Sequence, residues 1–550
     1  MSSSSHPRFV RRAPEFGGCF LFCLALSWRS GIFQTEFGRY QDEGMHYLTG
    51  LFVQDFTASG HWSRPMQYAQ QYYLHLPKIA LGQWPPGFSL MQAAWGFVFG
   101  VSRVSMMWGM IVLTAWLAYL VYRAATEYFG PWLGAVAALL LIAAPLTQEQ
   151  TAMVMAEIPL AATSFLAVAA LARYLDSARR RDAVAFALWT FAAVMIKGNA
   201  WVVPLSAPLI LLATRKLRLL RDASLWISVA LIGILCVPYT LVTMHIVSQG
   251  WDTRSFPGWA YEWLSLGIHL GFVAHTVGWP LAALALCGAL LSLRRREPFW
   301  TAMAIYAAVI VLFHVGVPSS IEPRKIYQIM PVMCLFAVAG ADAMARMLPD
   351  FRYARPAMSA AVLLLFFFTG FTLIPLYAPG LGPAVEALIS RADSRGTAVL
   401  ISSSPQWADD EAALIAEWAE RTRNDGTYLI RGNKLLSHNI AAPVGQPEFE
   451  RNFTTGDEVR KALADIPVAF VILHTTAAKI SYPHHAQLKA ALDGDPDEWQ
   501  RIYHSVRTLE GLGQTHTIEI YRYRKDVTGV PVHYSVDLTR KIGSSVSTGP

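Results

Sequence analysis

Ala183-Val-Ala-Phe-Ala-Leu-Trp-Thr-Phe-Ala-Ala-Val-Met-Ile-Lys-Gly-Asn-Ala-Trp-Val-Val-Pro-Leu-Ser-Ala-Pro-Leu-Ile-Leu-Leu-Ala213 contains one charge, Lys197. Its flanks are basic: Arg173 and Arg179-Arg-Arg181 on one side, Arg215-Lys-Leu-Arg218 with Arg221 on the other. Apolar runs flanked by Lys and Arg are the mark of membrane helices with cytoplasmic loops. The run exceeds the ~20 residues that cross a bilayer once, and Lys197-Gly-Asn199 interrupts it. It therefore reads as a hairpin of two short helices, both ends cytoplasmic, with Lys197 at or below the outer surface. A charge at mid-bilayer costs about 2.5–3.5 kcal/mol, so such a lysine takes a partner, faces water or snorkels at a helix end.

The rest of the chain agrees with this reading. Of 550 residues, 54% are hydrophobic and only 15% charged, where soluble domains carry about 25%. This excludes a disordered chain, a secreted disulfide scaffold and an ordinary cytosolic enzyme. The 18 Trp, 21 Tyr and 28 Phe suffice for aromatic belts at both interfaces. The net charge of +7 belongs in cytoplasmic loops and gives no argument for nucleic acid. Cys19, Cys23, Cys236, Cys287 and Cys334 all lie in apolar stretches and imply no disulfide framework.

Arg8, Arg11 and Arg12 precede an apolar run from Phe16 to about Phe33, read as an uncleaved first helix entering from the cytoplasm. Further apolar segments are Met106–Tyr122, Trp132–Pro145, Ile158–Ala172, Ala183–Ile196, Ala200–Ala213, Leu225–Val247, His269–Leu293, Phe299–Val317, Ile326–Ala345 and Ala357–Tyr377. About eleven transmembrane helices result, and an odd number places the C-terminus outside. Phe88–Phe99 is too short to span and reads as juxtamembrane or re-entrant. The outer face then holds four loops, Gln34–Gln83, Thr147–Glu157, Ser248–Leu266 and Pro318–Lys325, and the tail. The expected organisation is a membrane domain over 1–380 and an extracytoplasmic α/β domain over 381–550. In the tail, Thr397–Ser402, Thr427–Ile430, Pro467–Leu473 and Thr517–Tyr521 are strand-like, Ala408–Arg423 and Asp457–Asp465 helical, and the end from Ser544 disordered. The alternation suggests a three-layer arrangement. Neither a dinucleotide fingerprint nor a phosphate-binding glycine loop is present.

The candidate chemistry faces the outer side. Asp42 and Glu43 open the first outer loop, where carboxylates supply either a general base or a favourable charge at a helix N-terminus. Gln83-Trp-Pro-Pro86 fixes the entry to the Phe88 segment. Glu157 ends the second outer loop. Glu322-Pro-Arg-Lys-Ile-Tyr327 brings Arg324, Lys325 and Tyr327 to headgroup level, suited to a phosphate or to anionic lipid. Glu43, His46, His61 and His75 share the first loop and leave a divalent cation possible, although no metal motif is formed.

Taken in order, Asp42-Glu43, Gln83-Trp-Pro-Pro86 with Phe97-Val-Phe-Gly100, Glu157-Ile-Pro-Leu160, Lys197-Gly198 and Arg324-Lys-Ile-Tyr327 resemble the membrane glycosyltransferases of the GT-C class. The resembling branch contains bacterial aminoarabinose transferases and protein O-mannosyltransferases, and the resemblance covers roughly residues 16–346. It implies a polyprenyl-phosphate sugar donor, a lipid, glycan or protein acceptor, a location in the cell's inner (plasma) membrane among its lipids, and inversion at the sugar. It places the base on Asp42, with Glu43 beside it, and an acceptor- or cation-holding acid on Glu157, where relatives often have Asp. Relatives with Lys or His before the proline of the third motif differ from this chain, which has Trp84. The donor phosphate then falls to Arg324, Lys325, Tyr327, Lys197 and Lys78. A transporter or lipid flippase is the competing class, but the paired repeats usual in transporters are not seen.

Overall fold

The computed structural model describes residues 13–248, 259–294, 297–317, 322–348, 353–391, 396–404, 410–441, 448–477, 481–538 and 543–548. Arg8, Arg11 and Arg12, most of the loop expected at Ser248–Leu266 and part of that at Pro318–Lys325 lie outside the described residues.

Up to about residue 370 the chain is helical. Among the described residues five helices are long and apolar enough to cross a membrane: Arg103–Phe129, Glu157–Ser177, Ala223–Ile246, Pro298–Gly316 and Pro323–Ala345. Glu157–Ser177 is 94% buried and Pro323–Ala345 is 89% buried over their apolar windows, whereas Ala223–Ile246 is only 22% buried. A helix apolar all round and enclosed by others is the centre of a bundle. The first two therefore form the core, and the third lies on its periphery.

The count differs from the eleven expected. Two further spans arise only if each of two bent pairs is taken as one, giving up to seven. The expected His269–Leu293 segment is two helices meeting at 104°. At the joint Gly278 has φ +81, and a Cβ there would lie 2.8 Å from the Thr369 carbonyl oxygen, so only glycine makes this corner. The expected Trp132–Pro145 segment ends at a 62° corner, where Pro145 closes the Pro131–Ala143 helix and opens Pro145–Thr151. Ala13–Arg29 and Arg180–Ile196 have 17 residues each, and Gly87–Phe99, Gly198–Ala213 and Ala354–Thr369 are shorter apolar helices. Hydropathy read along the chain merges apolar residues across such corners, whereas backbone direction separates them.

The tail carries a five-stranded mixed sheet. Its order is Tyr428–Arg431, Ala398–Ser403, Val468–Thr476, Gln514–Tyr523, Trp499–Leu509. The first three strands run parallel, with Leu400 opposite Ile430 and Val471; the last two are antiparallel, with Ile472 opposite Ile520. Ala398–Ser403 is buried throughout, as a central strand requires. Trp499–Leu509 and the helix Pro483–Asp493 were not expected. That strand is an edge with mostly exposed side chains, so it carries no apolar run. The end expected to be disordered instead pairs: Ser545–Ser547 lies antiparallel to Ser535–Asp537, with Val546 opposite Val536. Three residues per side suffice because both valines are buried.

The two ends of the helical part meet below this sheet. Glu36 donates its N–H to the Tyr377 carbonyl at 2.8 Å. Its Oε2 accepts from Gly380 N and Leu381 N, both at 2.7 Å.

Candidate active site

Tyr40 is extended (φ −137, ψ 143), and the helix Gln41–Ser59 starts after it. Asp42 and Glu43 occupy the first turn of this helix, where its exposed N–H groups favour negative charge. Successive helix residues point about 100° apart, and the two carboxylates go to different places.

Asp42 meets Arg324. That arginine lies in the 3-10 stretch Pro323–Ile329, and its side chain is 4% exposed. Nη2 donates to Asp42 Oδ2 at 2.6 Å, Nη1 to Glu157 Oε1 at 3.2 Å and Nε to Glu322 Oε2 at 2.7 Å. The Tyr40 ring covers the guanidinium at 3.9 Å, close enough for cation–π attraction. A planar fork with donors on three edges is the group that can bind three carboxylates at once. Glu157, first residue of its helix, also receives Lys197 Nζ at 2.6 Å. Lys197 is the C-cap of Arg180–Ile196 in extended conformation. The one charge inside the 183–213 run thus has a buried acidic partner.

Lys325 follows Arg324, is half-buried, and makes no ion pair among the described residues. Arg324, Lys197 and Lys325 balance Asp42, Glu157 and Glu322. Asp42 nevertheless retains 22% side-chain exposure, and Glu157 Oε2 is buried with no hydrogen-bond partner among the described residues. Burial works to raise the Asp42 carboxyl, but Arg324, His46, Lys197 and Lys325 outweigh it and hold it below its ordinary value of 3.8.

Glu43 turns the other way and is fully buried. Its Oε1 accepts from Arg103 Nη2 at 2.9 Å and Val154 N at 3.3 Å, and its Oε2 from Gly38 N at 3.2 Å. Arg103 also reaches the Ala152 carbonyl at 3.0 Å and the Thr35 hydroxyl. Burial pushes the Glu43 carboxyl up. Within this pocket Glu43 binds two backbone N–H groups and Arg103. Tyr327 is buried in the bundle and donates to Thr147 Oγ1 at 3.2 Å. Lys78 is half-buried in a left-handed turn (φ 89) of the loop before Trp84.

The three histidines of the first loop separate. His46 stacks on Trp84 with ring centres 4.0 Å apart, His61 on Tyr68 at 5.8 Å, and His75 Nδ1 lies 3.2 Å from the Thr427 carbonyl. Burial first, then Lys197, lowers His46 to about 4, so it is a neutral wall of the site. No group of three or more His, Cys, Asp or Glu among the described residues forms a metal cage. Arg103 and Tyr40 were missed by the sequence reading. For Arg103 the available signal was a lone cation just after a Ser102 cap at the head of an apolar helix.

Several known proteins share this architecture. ArnT from Cupriavidus metallidurans, in a crystal structure bound to undecaprenyl phosphate, superposes with TM-score 0.55 at 15% identity, over 92% of this chain and 98% of that one. Its apo state gives 0.57 at 14% identity, with the same coverage. The Archaeoglobus fulgidus oligosaccharyltransferase, tethered to an acceptor peptide, gives 0.55 at 12% identity, over 84% of this chain and 68% of that one. No curated protein matches the chain by sequence. Residues 83–242 match the family of dolichyl-phosphate-mannose-protein mannosyltransferases, and the chain as a whole has the fold of ArnT.

Proposed function

We propose that the protein is an inverting glycosyltransferase that moves a sugar from a polyprenyl-phosphate donor to a hydroxyl acceptor at the outer face of the cytoplasmic membrane. One observation carries the reading: Arg324 joins Asp42 and Glu157, residues 282 and 167 positions away in the chain, in one partly open charged cluster. The fold shared with undecaprenyl-phosphate-bound ArnT supports the donor class.

In this proposal the bond from the anomeric carbon to the phosphate oxygen breaks, and its electron pair leaves with the phosphate. The acceptor oxygen forms the new bond from the opposite side. Asp42 takes up the acceptor's proton as that bond forms, since a carboxylate of such low basicity cannot remove it beforehand. Lys325, the cation without a carboxylate partner among the described residues, receives the departing phosphate with Arg324 and Lys197. Lys78 and Tyr327 complete the donor side only if the loop before Trp84 and the Thr147 contact rearrange. Glu157 aligns the two cations through Oε1 and offers Oε2 to the acceptor or donor sugar. Glu43 holds Arg103 and the Gly38 turn, a positioning part. Residues 1–380 form the membrane unit and 381–550 an outer-face unit that docks the acceptor.

The test begins with mass spectrometry of lipids and glycans from cells lacking the chain, which identifies the missing sugar. Complementation with Asp42→Asn should leave that sugar missing while the protein remains inserted at normal level. Restoration by Asp42→Asn would remove the proposed chemistry and favour a transporter or flippase.

A further inference from the structure

The tail helix Asp410–Thr422 reaches three backbone points around the site: Phe37 ahead of the helix Gln41–Ser59, Gly44 within it, and Arg103 at the head of the helix Arg103–Phe129. Its Glu417 side chain, 2% exposed, accepts the Phe37 N–H at 2.9 Å through Oε1. Glu420 Oε1 accepts the Arg103 N–H at 2.7 Å. The Ala412 carbonyl packs so close to Gly44 that a Cβ on that glycine would stand 2.5 Å from its oxygen. Arg421 Nη1 holds Glu417 Oε2 at 2.6 Å and fixes its rotamer.

Each contact leads to the same turn. Phe37 and Gly38 form the approach to Tyr40, and Gly38 N is bound by Glu43 Oε2 at 3.2 Å. Arg103 binds Glu43 Oε1 from the other side. Gly44 is the next residue of that turn. Asp42 immediately precedes Glu43, so its direction follows from how Phe37, Glu43 and Gly44 are seated. A buried carboxylate is weak support for stability, because desolvation offsets its pairing. What it supplies is a fixed location for the N–H it binds.

We infer that the tail helix Asp410–Thr422, through Glu417 and Glu420, positions the turn that carries Asp42, so that the tail is a working part of the membrane site. The meaning of that position rests on the proposed reaction; the coupling itself does not. Glu417 and Glu420 are positioning residues, since neither touches the charged cluster.

The test is hydrogen–deuterium exchange on the full-length protein in lipid nanodiscs, with undecaprenyl phosphate as the added probe. Glu417→Ala should speed exchange of the 36–44 segment at least tenfold while leaving undecaprenyl phosphate affinity within threefold. Glu417→Gln keeps an acceptor for the Phe37 N–H and should restore slow exchange. Glu420→Ala should speed the 36–44 and 102–106 segments and serves if Glu417→Ala does not fold. Faster exchange confined to 410–422 would overturn the inference. So would faster exchange across the whole bundle with loss of undecaprenyl phosphate binding, the pattern of general destabilisation. Exchange needs no sugar, so a failed Asp42→Asn experiment leaves this result standing.

Discussion

Asp42 and Glu43 are adjacent carboxylates in two unlike regions. Asp42 looks into a charged, partly open cluster, where a single ion pair from Arg324 and nearby lysines keep it ionised. Glu43 is sealed from water among Arg103 and two backbone N–H groups. A rotation of about 100° along one helix thus separates a carboxylate in a partly open cluster from one that holds the frame. The lesson is that a pair of neighbouring acids is resolved by what faces each of them, which the spacing does not reveal.

The sharpest way to break the comparison is to neutralise each acid's side in turn. Asp42→Asn should cut sugar transfer by about 10²–10⁴-fold, the usual contribution of proton transfer, with an unfolding midpoint close to that of the parent. If Asp42→Asn instead unfolds and Glu43→Gln stops transfer in a stable protein, the roles are reversed. Next in size is Arg103→Met. It leaves Glu43 buried without its cation and should cost about 3–5 kcal/mol of stability, read by denaturant unfolding in detergent. Gly44→Ala is smaller. Alanine gains about 1 kcal/mol of helix propensity, but the added methyl must displace the Ala412 carbonyl. The net expectation is a loss of about 1–3 kcal/mol, measured by thermal unfolding.

The smallest expected effect is on acidity. Asp42 is depressed below 3.8 in the folded protein, so what its ionisation contributes is present above that value and is lost as pH falls through the lower, folded value. The acid limb of transfer from this group should lie below 3.8 in the parent. In Arg324→Gln the chief stabiliser of its charge is gone, and the limb should move to higher pH. An unmoved limb in a variant with residual activity would assign Asp42's ionisation to other groups.

Part of this arrangement was readable in the chain. A lone lysine inside the 183–213 run calls for a partner, water or a helix end, and the structure gives it Glu157 at 2.6 Å. The Arg324 motif and Asp42 were both placed on one face by loop charge, and they meet. Arg103 gave only a weak signal, because a cation in the first turn after a serine cap looks like an ordinary helix start, and its acid lies 60 residues away. Span boundaries were least legible where a glycine corner bends an apolar run without lowering its hydropathy, as at Gly278. In the tail, the buried strands carried their own apolar signal. The edge strand Trp499–Leu509 pairs through backbone alone on one side and showed none.

The contact of Phe37 with Glu417 spans 380 positions of sequence, and this sets the timing of biogenesis. At about 5–20 residues per second, the ribosome needs roughly 20–75 seconds after making Phe37 to supply its partner. During that interval the first helices are already in the translocon's care, and their acidic turn lacks its final support. Seating of the Asp42 turn is therefore a late event, and a chain released before its last quarter should accumulate in the bilayer without the contact that fixes that turn.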